Sequence, residues 1–316
     1  MSRGRKECPL LGIALVLLMC SCFAAMDSTT RYLGGLLPVL LILWLRYGLQ
    51  AMVMAVYLGV LSARGRAGMF RAARPRFQLV RGLLLLATSA MSFYGVQQMP
   101  VAEFTAINML TPVLVTLLAA LLLHERVSRL RWLLVGGGFL GALVVIRPGS
   151  GLFGWVVLYP LCGALFYASF QVLTARLAAL ENPYTTHFYT GLTGTALLSA
   201  VLAASPLQPL ALLGAATPSQ WGLLLLIGGL GTVGHLLLII ALGLAPTGTL
   251  MPFVYVQIAV AAGIGWLVFG HAPDGTAWLG MGVLSISGAL SAWLNVREAQ
   301  ARRLPPSTVQ LDTIAD

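Results

Sequence analysis

Long apolar runs, broken by short polar ones, dominate this chain. About 20 apolar residues carry an α-helix across ~30 Å of hydrocarbon, and runs of that length recur from one end to the other. They predict ten membrane-spanning helices, at about 10–31, 36–61, 79–98, 102–123, 131–147, 152–173, 185–204, 220–242, 248–270 and 276–295. Breakers separate them: Gly34-Gly35, Arg64 to Pro75, Met99-Pro100, Pro148-Gly149, Asn182-Pro183, Pro206 to Pro218, Ala245-Pro246 and Pro273-Asp274-Gly275. Leu304 to Asp316, with Pro305-Pro306 and few apolar residues, reads as a disordered tail.

The pattern repeats. The helix–turn–helix stretch from Pro100 to Pro148 returns at 246–294 in ungapped register: Pro100 falls on Pro246, Leu121 on Leu267, Trp132 on Trp278 and Gly136 on Gly282. Thr29, Arg31 and Pro38 match Thr174, Arg176 and Pro183 in the same way. The chain therefore divides into a first repeat over 1–148 and a second over 149–303, followed by the tail at 304–316. Five spans per repeat is an odd number, so the second copy enters from the opposite side. The expected fold is an all-α integral membrane protein, with ten transmembrane helices as two inverted five-helix repeats around a central cavity.

Charge sets the orientation. Only 9% of residues are charged and 59% are hydrophobic, with a mean hydropathy of +0.90; a soluble domain carries about 25% charged residues. The net charge of +10 does not indicate nucleic acid, because the basic residues sit in short loops between apolar runs. With both termini in the cytoplasm, sixteen of the 19 basic residues fall on that side, among them Arg64 to Arg81, Arg126, Arg129, Arg131 and Arg176. Arg31, Arg46 and Arg147 are the exceptions. Cys8, Cys20, Cys22 and Cys162 form no CxxC pair, so neither a disulfide framework nor a metal site is expected. Cys20-Ser21-Cys22 resembles a lipobox, but the run continues through Asp27 to Tyr32, and the segment is expected to remain as the first span.

Polar groups inside spans are the candidate chemistry, since an Arg or Asp at a helix centre costs about 2.5–3.5 kcal/mol by insertion scales. Arg46, ten residues into its span and so about 15 Å deep, is either an anion or carbonyl clamp or an arginine tied to a buried acid or to helix carbonyls. Asp27 and Arg31, spaced i,i+4, form a local ion pair, or Asp27 reaches Arg46 across helices. Glu103 is a candidate coupling carboxylate. Asn108 precedes Thr111-Pro112, which breaks the helical hydrogen-bond ladder where a cavity can satisfy the freed carbonyls. His235 is a proton relay or a helix-bridging hydrogen bonder, and Gln171 and Gln257 share that ambiguity. Tyr94, Tyr167, Tyr189, Tyr255 and Phe188 could wall a planar ligand or simply pack. Arg46, Asn108, Tyr94, Gln257 and His235 are thus the substrate-binding candidates; Asp27, Arg31 and Glu103 are the coupling or gating candidates. Two glycine patterns are set aside. Gly229-Leu230-Gly231-Thr232-Val233-Gly234 has no preceding strand for a dinucleotide site, and Gly136-Gly137-Gly138 with Gly141 suits close helix packing.

The span ending in Leu122-Leu123-His124-Glu125-Arg126, followed by Trp132, Gly136 and Gly141, resembles the EamA branch of the drug/metabolite transporter superfamily, over about residues 10–295. Asp27-Ser28-Thr29-Thr30-Arg31-Tyr32-Leu33 followed by Arg46 resembles the subgroup with riboflavin and S-adenosylmethionine carriers. The acidic residue typical of each repeat is Glu125 in the first copy but His271 in the second, so a symmetric glutamate pair is not expected. The resemblance implies a secondary carrier in the inner membrane, without a cofactor, moving a small polar or aromatic metabolite by alternating access with or without protons. Its partners would be that solute and membrane lipid, and it would act as a monomer or homodimer. A lipid-linked-sugar flippase and an integral membrane enzyme are the alternatives. The only rich cluster at an interface is arginine, which the orientation already explains, so no catalytic set is expected.

Overall fold

The computed structural model describes residues 9–66, 68–123, 129–147, 153–177, 180–245, 250 and 253–303, and among these all regular structure is helical. The turn at 124–128 with Glu125, the breaks at 148–152 and 246–249, and the tail at 304–316 lie outside the described residues.

The first half builds α1 (Pro9–Leu33), α2 (Val39–Ala63), α3 (Pro75–Gln98), α4 (Val101–Asn108), α5 (Thr111–Leu123) and α6 (Arg129–Ile146). The second half builds α7 (Leu158–Leu177), entered through a 3₁₀ turn at Gly154–Val157, then α8 (Pro183–Ala204), α9 (Pro209–Gly214), α10 (Pro218–Leu242), α11 (Val256–Phe269) and α12 (Gly275–Arg303). Among the described residues, five helical stretches, Leu10–Leu33, Val39–Ala63, Pro75–Gln98, Gly154–Thr174 and Pro218–Leu242, are long and apolar enough to cross a bilayer. The protein is a multi-pass membrane protein.

Starts follow local chemistry. Pro75, Pro183 and Pro218 open α3, α8 and α10 where a missing N–H costs nothing. Asn182 caps α8 through the Tyr184 N–H, and Thr217 with Gln220 forms a full capping box on α10. The stretch 102–123 is not one rod. α4 ends at Asn108, the Thr111 hydroxyl donates back to the Asn108 carbonyl at 2.7 Å, and α5 starts with Thr111-Pro112. The loop from Pro206 to Pro218 contains the short α9, whose Leu210 is exposed.

Small residues set the packing. α6 and α12 run together closely enough that a Cβ on Gly141 would lie 2.6 Å from the Leu284 nitrogen. α1 packs on α10 and α3 on α7, while α2 packs on α8. At this last seam a Cβ on Gly194 would meet the Tyr47 ring at 2.3 Å. Both glycine patterns set aside as ligand loops thus lie within helices.

Candidate functional site

A cavity of about 50 Å³ lies between the two halves of the chain. Its polar lining is Asp27 from α1, Arg46 from α2, Thr88, Ser89 and Ser92 from α3, Asn108 from the end of α4, Tyr167 from α7, His235 from α10 and Gln257 from the first turn of α11. Phe23, Met26, Leu85, Phe93 and Met109 supply the apolar wall.

Arg46 is the deepest charge in this lining, with only 1% of its surface exposed. Its Nη1 donates to Ser89 Oγ at 2.9 Å, and the Tyr47 hydroxyl meets the same Oγ at 2.9 Å. The guanidinium carbon lies 4.7 Å from the Tyr47 ring centre and 5.7 Å from that of Phe93, both within cation–π range. Nε and Nη2 are buried with no hydrogen-bond partner among the described residues. Space for this side chain depends on Gly231, where a Cβ would stand 2.6 Å from Nε.

Asp27 shares the cavity but makes no ion pair with Arg46 or Arg31 among the described residues. His235 lies against the Phe23 ring at 4.7 Å between centroids, with Tyr167 and Phe170 edge-on at 6.4 and 6.3 Å. Its Nδ1, like Asn108 Oδ1, is buried without a partner among the described residues.

Arg31 and Glu103 stand apart, at the end of the bundle where α1 stops and α4 starts. Arg31 turns away from Asp27: Nη1 donates to the carbonyls of Val96, at 3.1 Å, and Met99, and the Phe269 ring covers the guanidinium at 5.3 Å. Those carbonyls are freed because α3 ends there and Pro100 follows. Glu103, buried, receives His271 Nε2 at 3.1 Å. The position that breaks the expected glutamate symmetry thus carries the partner of another glutamate. Nearby, Arg147 pairs with Asp274. Tyr94 does not join the site: it is 39% exposed and absent from the cavity wall. Successive helix positions point about 100° apart, and Phe93 takes the inward place.

A fully buried cluster near the opposite end has no counterpart among the candidates. Arg81, assigned above to a cytoplasmic loop, belongs inside α3 with 0% exposure. Its Nε donates to Thr174 Oγ1 at 2.7 Å, and Nη1 to the Thr186 carbonyl and Thr190 Oγ1 at 3.1 and 2.6 Å. The Phe170 ring lies under it at 4.6 Å, itself stacked on Tyr167 at 5.8 Å. Gln78 donates to Thr186 Oγ1, while Gln50 and His187 tie α2 to α8. The signal was Pro75: as a first helical residue it places Gln78 and Arg81, spaced i,i+3, on one helix face.

The two halves of the chain each match a known family. The sequence profile of the EamA-like transporter family fits twice, over residues 10–147 and 154–293. The chain belongs to the EamA-like transporter family. Its relatives in that family are transporters rather than enzymes. A riboflavin transporter of Brucella anthropi is 27% identical over 268 residues, covering 84% of this chain and 92% of that protein. An S-adenosylmethionine uptake transporter of Rickettsia bellii is 24% identical, covering 93% and 97% respectively. The pseudopaline exporter CntI of Pseudomonas aeruginosa is 28% identical, covering 89% and 95%. A crystal structure, 20% identical in sequence, superposes with a TM-score of 0.60 over 92% of this chain and 98% of that one. The solved structure shares the fold of this chain, and the three named relatives differ in the solutes their names give.

Proposed function

We propose that this chain is a secondary transporter that moves a small polar or aromatic metabolite across the inner membrane by alternating access. Its ten spans form two inverted five-helix repeats, over 1–148 and 149–303. The observation that carries the reading is a cavity with buried, hydrogen-bond-hungry groups drawn from both family-matching halves.

Helix pairing supports the inverted arrangement. Exchange α1 with α7, α2 with α8, α3 with α10 and α6 with α12: the α1–α10 contact becomes α7–α3, while α2–α8 and α6–α12 map onto themselves. That is the contact pattern of a twofold axis between halves. The distribution of arginines then favours N- and C-termini in the cytoplasm.

The cavity's size supports movement. At about 50 Å³ it is far below the roughly 300–1,000 Å³ of sites that enclose drug-sized ligands. A solute the size of those carried by the relatives enters only if the halves part. Asp27, Glu103 and His235 are the candidates to couple that motion to protons. The deciding measurement is an untargeted metabolite-accumulation screen of cells with and without the protein. A solute whose level tracks expression supports the reading, and no such solute across import and export conditions would end it.

A further inference from the structure

We infer that the central cavity takes a zwitterion, presenting a carboxylate to Arg46, a protonated amine to Asp27 and an apolar body to the rings between them. The inference rests on the transporter reading and names its substrate class.

Opposite charges buried in one cavity normally close on each other, because a lone charge in a bilayer is costly. Arg46 and Asp27 line the same cavity, 1% and 5% exposed, without forming an ion pair among the described residues. Nor is a hydrogen bond to the Asp27 carboxylate found among those residues. Arg46 commits Nη1 to Ser89 and leaves Nε and Nη2 without partners. Those two nitrogens form the side-on edge that grips a carboxylate with two parallel bonds. The α10 backbone at Gly231 packs against that edge, where a Cβ would stand 2.6 Å from Nε, so the edge meets a solute only as the halves part. The other fully buried arginine, Arg81, has Nε and Nη1 taken up by Thr174, Thr186 and Thr190, so although its Nη2 also lacks a partner among the described residues it has no unpaired side-on edge, and it does not line the cavity.

Charge complementarity then sorts the solutes. A simple anion meets the Asp27 carboxylate, a simple cation meets the Arg46 guanidinium, and a neutral solute leaves both charges dehydrated and unmatched. A zwitterion satisfies both at once. The walls of Phe23, Phe93 and Tyr167 suit an apolar or aromatic remainder.

The test uses the purified full-length chain in detergent and four phenyl compounds matched in size: L-phenylalanine (zwitterion), hydrocinnamate (anion), phenethylamine (cation) and phenylpropanol (neutral). Thermal stabilisation is followed against concentration. The zwitterion is expected to act at about tenfold lower concentration than each of the others, as one charge-assisted hydrogen bond implies. Asp27→Asn should remove that advantage over hydrocinnamate, and Arg46→Gln should remove it over phenethylamine. Equal action of hydrocinnamate or phenylpropanol on the unmodified chain, or no stabilisation by any of the four, overturns the assignment without needing either variant to fold. The accumulation screen scores solutes of any charge. A positive screen beside a negative result here therefore retains the transporter and discards only the zwitterion.

Discussion

Arg46 and Ser89 are joined at 2.9 Å across the α2–α3 interface, and the Tyr47 hydroxyl closes on the same serine oxygen. The serine fixes one end of the guanidinium fork, while Nε and Nη2 stay buried without a hydrogen-bond partner among the described residues. Ser89→Ala should therefore lower thermal stability by about 1.5–3 kcal/mol, the range for a hydrogen bond to a charged group, and weaken transport. Arg46→Lys should reach the membrane normally yet transport poorly, because a point charge cannot reproduce the planar fork. Wild-type transport by a well-expressed Arg46→Met variant would remove Arg46 from the mechanism.

Two glycines two residues apart on α10 make a matched comparison. A Cβ on Gly231 would press on Arg46 Nε at 2.6 Å, whereas one on Gly229 meets nothing within 4 Å. Gly231→Ala should impair transport and lower the melting temperature. Gly229→Ala should be neutral or slightly stabilising, by up to about 1 kcal/mol from helix propensity. Equal behaviour of the two would contradict the packing described for Arg46.

Arg81 should prove as sensitive as a core residue although the sequence around it looks like a basic loop. Arg81→Lys removes the planar donor set that reaches Thr174, Thr186 and Thr190, at about 1.5–3 kcal/mol for each charge-assisted bond lost. Arg76→Lys, on the exposed start of the same helix, should change the melting temperature little. Melting curves of the two variants side by side decide it.

At the far end, the Arg147 side chain and, secondarily, the Ala277 backbone N–H hold the Asp274 carboxyl below the usual carboxylate range. A carboxylate with a depressed folded-state pKa stabilises the fold above its unfolded value of about 3.9 and loses that contribution as pH falls through the folded value. Asp274→Asn should thus melt below the parent at pH 7, and the gap should close as pH drops below about 4. Because the carboxylate is solvent-exposed the gap should be small and should shrink in high salt. A gap that widens on acidification would show that the pair has been misjudged.

Topology has its own measurement. A fluorescent fusion after Arg303 should glow, and an alkaline phosphatase fusion in the loop from Pro206 to Pro218 should be active. Active phosphatase at the C-terminus would refute ten spans with both termini inside.

Apolar runs long enough to span a bilayer are hard to hide, which is why helix positions and the proline breaks could be read from the chain. Asp27, Arg46, Asn108, His235 and Gln257 were legible for the same reason: each is polar within an apolar run, and all five line one cavity. What failed was azimuth. Lipid and helix neighbours both accept apolar side chains, so no periodic contrast separates the inward Phe93 from the outward Tyr94. Arg81 failed differently, because a buried arginine near a basic loop looks like one more positive-inside residue. The Glu103–His271 contact spans 168 positions of sequence and belongs to tertiary structure alone.

Only two aromatic rings separate the cavity from Arg81. Tyr167 forms part of the cavity wall and stacks on Phe170 at 5.8 Å, and the face of Phe170 carries the Arg81 guanidinium at 4.6 Å. A solute large enough to turn Tyr167 strips Phe170 of its stacking partner and loosens a cation–π contact worth as much as about 2 kcal/mol when shielded from water. On the transporter reading, a solute arriving at the centre would thereby bear on the clasp of threonines that fastens α3 to α7 and α8.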